Sequence, residues 1–174
     1  MGNTDRLRSM VISAVMMALA LVLPIAFHAV GLGSKFLPML LPLLLNGFLV
    51  PLRWAVFIAV LAPFISCFAT GMPPLYPPSV LVVALEGAAL AGVASAVYRN
   101  RPSRRWPALL AAIAAGRITA VAATWFVARI FNLPPGLSAA ALLLQGLPGV
   151  ALQLVVVPLV LAQLSRRRGT LFQA

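Results

Sequence analysis

The sequence predicts an all-α, polytopic membrane protein: a bundle of six transmembrane helices with both termini cytoplasmic. Three observations carry that prediction. Apolar side chains make up 63% of the residues and charged ones 9%, against roughly 25% charged in ordinary globular chains. The apolar residues fall into six runs, most of them long enough to cross a hydrocarbon core of roughly 30 Å as a helix. Basic residues gather where the runs stop, as topology determinants do, so the net charge of +11 is not a nucleic-acid footprint. Residues 1–174 read as one integral membrane domain.

The first span, about 10–28, follows Arg6 and Arg8. It is longer than the apolar region of a signal peptide, and no convincing cleavage site follows, so it reads as a retained helix. A turn of Gly31, Gly33, Ser34 and Lys35 leads to the second span, about 36–50. This span carries Pro38, Pro42 and Asn46, and a bend is expected, with the freed backbone groups satisfied by neighbours. The third span, about 54–70, contains Pro63, Ser66 and the single cysteine, Cys67, which permits no intrachain disulfide. The turn GMPPLYPP precedes the fourth span, about 79–98, which holds Glu86 near its middle. After the basic loop RNRPSRRWP comes the fifth span, about 107–130, with Arg117 inside it. FNLPPG then leads to the sixth, about 137–164, with Gln145 and Gln153, ending in Arg166, Arg167 and Arg168.

Six spans put both ends of the chain on one side. That side receives Arg6, Arg8, Arg53, Arg99, Arg101, Arg104, Arg105 and Arg166–Arg168; the other receives only Lys35 and Arg129. The bias assigns the arginine-rich side to the cytoplasm.

Glu86 and Asp5 are the only acids, and a carboxylate in hydrocarbon costs at least ~2.5–3.5 kcal/mol unless it faces a protein interior or a wet cavity. Counted from the cytoplasmic ends of their spans, Glu86 and Arg117 lie at depths of about 18 and 15 Å, at 1.5 Å per residue. Two readings follow. One is a structural ion pair holding the bundle; the other is a polar site in which Arg117 offers its planar fork to a carboxylate or phosphate of a solute. Asn46, Gln145 and Gln153 are interhelical hydrogen-bond partners, and Gln145, in the external half of its span, is a ligand candidate. His28 stands near the external end of the first span, without the companion ligands a zinc site needs. Met72, Leu75 and Tyr76 are the side chains of the proline turn free to cover a ligand.

No catalytic constellation stands out. Ser66 has no G-x-S-x-G context, there is no P-loop, and the sequence points to no metal or cofactor. The chain is therefore expected to be no enzyme, and uphill transport would need ATPases supplied by other proteins. Small residues recur at spacing four, among them Ala14 and Ala18, which allow close helix approach in lipid.

HAVGLGSKFLPMLLPLLLNGFLV, LAPFISCFATGMPPLYPP and LEGAALAGVASAVYR, together with A-x-x-x-A in the first span, resemble the substrate-binding S components of energy-coupling factor (ECF) vitamin transporters. The resemblance covers nearly the whole chain and is strongest between His28 and Arg99. It implies a pocket for a vitamin or small cofactor precursor near the external face, roofed by Gly31–Lys35 and Gly71–Pro78. Glu86, Arg117, Gln145, Tyr76, Met72, His28 and Asn46 are the candidate substrate-binding residues. It further implies that Ala14 and Ala18 meet a transmembrane coupling subunit joined to two ATPase subunits, in the bacterial cytoplasmic membrane. A membrane enzyme acting on lipid and a ligand-free assembly subunit are the competing readings; the scarcity of His, Asp, Glu and Cys argues against the first. Cysteines placed at Lys35 and Ser138 are expected to label from outside, and those at Ser103 and Thr170 only from inside. External labelling at Ser103 would overturn the six-span topology.

Overall fold

The apolar runs form six helices in the computed structural model: α1 Asn3–Ala29, α2 Leu40–Leu49, α3 Leu52–Thr70, α4 Ser79–Asn100, α5 Arg105–Ile130 and α6 Ala139–Leu171. The structure describes residues 3–29, 31, 36–76, 78–100, 104–132 and 139–171, apart from the side chains of 100, 139–145 and 166–171. Lys35, Ser103, Ser138 and most of the Gly31–Lys35 turn lie outside the described residues, as do the side chains of Gln145 and Thr170. Five of the six helices are long and apolar enough to cross a membrane; the exception is α2.

The second helix begins at Leu40, later than the apolar run alone suggests, and the reason is Pro38. A proline disfavours the helical region for the residue before it, and Leu37 adopts a left-handed backbone, φ +46°. The remaining ten residues rise about 15 Å, half a bilayer core. A helix apolar on every side belongs in an interior. Accordingly Leu40, Pro42–Phe48 and Val50 are buried.

Around α2 the other helices close. Leu40, Leu43 and Val50 pack with Ala20 of α1, Ile58 and Ala59 of α3 and Ala91 of α4. Leu44, Leu45 and Phe48 pack with Leu90 of α4, Leu109 and Ile113 of α5 and Val157 and Leu161 of α6. Helix α4 is the common partner, lying against α2, α3 and α5. Its approach to α2 depends on Gly47: a Cβ there would fall 2.5 Å from the Ala91 carbonyl oxygen and 2.9 Å from its Cα. Where Pro51 ends α2, the Val50 carbonyl accepts a hydrogen bond from Ser95 Oγ of α4, at 3.0 Å. That bond answers the requirement that broken backbone inside a membrane bundle find a partner.

The helices alternate in direction. Asp5, Arg8 and Ser9 of α1 share one end with Leu49, Pro51 and Arg99. Pro24 and His28 share the opposite end with Leu37–Leu40, Ser66, Met72 and Ser79. At the basic end the start of α5, Arg105, lies beside Pro158–Ala162 of α6. Outward surfaces carry large apolar side chains, including Val22, Ile25, Phe57, Phe68, Ile118, Trp125, Phe126 and Leu159, as a lipid-facing wall requires. Gly47→Ala is expected to wedge α2 off α4 and destabilise the protein by about 1–3 kcal/mol, as overpacking does. Thermal unfolding in detergent measures it, and an unchanged midpoint would contradict the close approach.

Candidate functional site

At the end opposite the arginine cluster, α1, α3 and α4 part around the entry to α2 and leave a cavity of about 430 Å³. Helix α1 contributes Pro24 and His28, the α2 entry Leu37–Leu40, α3 Ser66, the following loop Met72–Pro74, and α4 Ser79 and Val83. The volume lies within the usual range for small-molecule sites, and so does the character: apolar walls with a few hydrogen-bonding groups. Among the described residues, no aspartate, glutamate, lysine or arginine lines it.

The polar groups are oriented by the backbone. His28 Nδ1 lies 2.8 Å from the Pro24 carbonyl oxygen. A carbonyl can only accept, so Nδ1 carries the proton and, in the neutral ring, Nε2 is left as an acceptor. Ser66 Oγ donates to the Met72 carbonyl at 2.7 Å, and Thr70 Oγ1 donates to the Ser66 carbonyl at 2.8 Å. Those bonds tie the proline loop to the last turn of α3. Gly71 makes the reversal possible: it caps α3 with φ +73°, a conformation that costs other residues a Cβ clash. The Ser66 hydroxyl has spent its proton on the loop and meets the cavity as an acceptor.

Below the cavity lies the ion pair. On α4, Ser79, Val83 and Glu86 follow at i, i+4 and i+7, so one face leads from the cavity mouth to the carboxylate. Glu86 is only 4% exposed. Arg117 Nη2 of α5 donates to Glu86 Oε1. The other terminal nitrogen, Nη1, rests against Gly146 of α6, where a Cβ would collide with it. Leu37 closes this corner. It lines the cavity, and its Cδ1 would lie 3.4 Å from that same Cβ. The backbone just before it is also clamped by α6, because a Cβ on Gly149 would sit 2.6 Å from the Phe36 carbonyl oxygen.

The sequence candidates thus separate. His28 and Met72 line the cavity. Glu86 and Arg117 meet each other one turn beneath it. Asn46 is fully buried farther along α2, its Oδ1 accepting from Ser13 Oγ at 3.4 Å. Among the described residues, Asn46 Nδ2 has no partner. Tyr76 does not line this cavity; it is 69% exposed, with its ring edge-on to Phe131 at 6.2 Å between centroids. Ala14 and Ala18 lie on the exposed face of α1, with Val11, Val15 and Val22. Ser79, Val83 and Leu37 escaped the sequence reading, which named Ser66 but gave it no place in the site. The i, i+4, i+7 line running up from Glu86 is the signal that could have found two of them.

Residues 8–161 match the family described as ECF transporter, substrate-specific component. The chain belongs to that family. It is a multi-pass membrane protein and the substrate-specific subunit of an ECF transporter, which takes a small-molecule substrate and works with an energy-coupling module. Neither the comparison with curated proteins nor that with solved structures gave a match.

Removing one partner of the Glu86–Arg117 pair leaves a lone charge in low dielectric. Glu86→Gln alone and Arg117→Met alone are each expected to cost about 3–5 kcal/mol, while the double variant returns close to wild type. Denaturation in detergent reads the cycle. Additive losses in the double would show that the two side chains do not depend on each other.

Proposed function

We propose that this S component captures an uncharged, predominantly apolar or aromatic vitamin-type solute in the cavity between α1, α3, α4 and the α2 entry. The observation carrying the reading is a cavity of about 430 Å³ whose described lining has hydrogen-bonding groups but no charged side chain. Walls of Leu37, Met39, Leu40, Met72 and Val83 suit a flat or branched apolar body. The His28 ring and the Ser66 and Ser79 hydroxyls suit one or two polar substituents, best a donor, since two of the three present acceptors. Met72 is the proline-loop residue in this role. Tyr76 is 69% exposed and stands beside Phe131 at the rim, where it would meet a solute on entry.

Of the two roles open to Glu86 and Arg117, the structural one is favoured here. The guanidinium donates to the carboxylate and its other terminal nitrogen lies against Gly146, so an anionic solute would share it with Glu86, whose negative charge opposes a second anion. Asn46 belongs to the same buried polar interior. Gln145, one residue from Gly146, is the remaining α6 candidate for contact with the solute.

In this reading both termini and the arginine-rich end face the cytoplasm of a bacterial cell, by the excess of basic residues there. The cavity then opens outward. Ala14 and Ala18, small and exposed on α1, form the seat for the transmembrane coupling subunit, which two ATPase subunits drive.

Val83→Trp fills the cavity without touching the ion pair. It is expected to weaken solute binding at least about tenfold, a change of ~1.4 kcal/mol, and to remove the solute from extracts of purified protein as seen by mass spectrometry. An unfolding midpoint near wild type checks that the fold persists, and unchanged retention of the solute would move the site elsewhere. Ala14→Phe with Ala18→Phe is expected to leave binding intact and abolish uptake. Loss of both together would place that face in the chain's own packing.

A further inference from the structure

A second opening lies at the basic end, between the start of α5 and the second half of α6. It measures about 360 Å³ and is lined by Arg105, Trp106, Leu109, Val157, Pro158, Leu161 and Ala162. Its floor is apolar: Leu109, Val157 and Leu161 are all buried core residues. Its rim is not. Arg105 and Trp106 are exposed, and Trp106 is 57% so. Tryptophan and arginine side by side at the end of a spanning helix mark the level where hydrocarbon gives way to headgroups.

Among the described residues, no acidic side chain lines the groove beside that charge. The protein has two acidic side chains. Glu86 is held by Arg117, and Asp5 stands across the basic end among Arg8, Ser9 and Arg99. Arg166–Arg168 follow Ala162 by one helical turn in sequence and add further positive charge to this side. The groove thus offers Arg105 to an anion from outside the chain. The groove beneath it is apolar and opens on the lipid-facing wall, where Leu110 and Leu159 are also exposed. Pro158 contributes to the gap, since it lacks the N–H that would bond the Leu154 carbonyl and its ring crowds that turn of α6.

We propose that this groove holds one anionic phospholipid, its phosphate at Arg105 beside the Trp106 indole and one acyl chain along Leu109, Val157 and Leu161. The lipid fills a seam where α5 packs far less extensively on α6 than on α4, and so joins α6 to the rest of the bundle at the basic end.

The test uses full-length protein in detergent, stripped of lipid and then given phosphatidylglycerol, phosphatidylcholine or inorganic phosphate. Native mass spectrometry counts retained lipid, and thermal unfolding reports its effect. Preferential retention of phosphatidylglycerol with a raised midpoint is expected. Arg105→Gln should weaken that retention about fivefold, as one basic side chain near a membrane surface does, and Ala162→Phe should weaken retention of both lipids. Arg104→Gln, next door but not in the groove, should change nothing. Equal losses from Arg104→Gln and Arg105→Gln would reduce the effect to diffuse surface charge and overturn the proposal. So would an equal midpoint shift from inorganic phosphate, or equal retention of the two lipids. If Ala162→Phe spares lipid retention but blocks assembly with the coupling module, the groove is a protein interface instead.

Discussion

An ionised Glu86 carboxylate inside this bundle is held at far lower cost with a cation beside it, and much of the architecture follows from supplying one. Arg117 reaches it because α4 and α5 are neighbours joined by a short basic loop, which sets the two charges at one level. The pair then constrains a third helix. The guanidinium takes up space that a side chain on α6 would otherwise fill, and Gly146 is the residue that leaves it free. Three helices are registered by one ionic contact. Its value lies less in net stabilisation, since a buried pair is often no better than apolar packing, than in the cost of every arrangement that separates the charges.

The same economy of polar groups recurs wherever the backbone breaks. Pro51 interrupts the chain between α2 and α3, and Ser95 answers the Val50 carbonyl. Gly71 and the prolines after it interrupt the chain beyond α3, and Ser66 answers the Met72 carbonyl. Ser66 therefore serves two ends. It anchors the loop that roofs the cavity, and it presents its lone pairs to whatever the cavity holds. A donor on a solute would bond the lone pairs of the same hydroxyl whose proton holds the loop, and the two bonds would polarise each other rather than compete.

Much of the fold could be read from the chain because its determinants are coarse. Six apolar runs, punctuated by prolines and arginines, specify six helices, and the matched depths of Glu86 and Arg117 specify which two meet. The cavity was harder to read for a physical reason. In a soluble protein apolar means buried, whereas here Leu40, 1% exposed, and Leu85, 53% exposed, are chemically alike. Sequence pattern cannot separate a helix face that lines a pocket from one that meets lipid. Local exceptions betray themselves only through backbone chemistry, as when Pro38 forces Leu37 out of the helix and into the cavity wall. Tyr76 shows the converse: an aromatic residue in the right loop, turned towards Phe131 rather than into the chamber.

A chamber whose described walls carry no ionised side chain, set above the Glu86–Arg117 pair, also bears on how a solute bound there would leave. Were the solute held by Arg117 in place of Glu86, capture would have to part the pair and leave the Glu86 charge unpaired, the cost of a broken buried ion pair. An apolar solute is held instead by surface withdrawn from water, at about 25 cal/mol per Å². That contribution falls as soon as the walls part. On the proposed reading the ion pair need not open for the solute to leave, so the register of α4, α5 and α6 that it sets can be kept. On this division the walls most able to release the solute are those of α1, the helix whose exposed face carries Ala14 and Ala18. A partner seated on that face would act on the cavity along the same helix, whose far end contributes Pro24 and His28 to the lining.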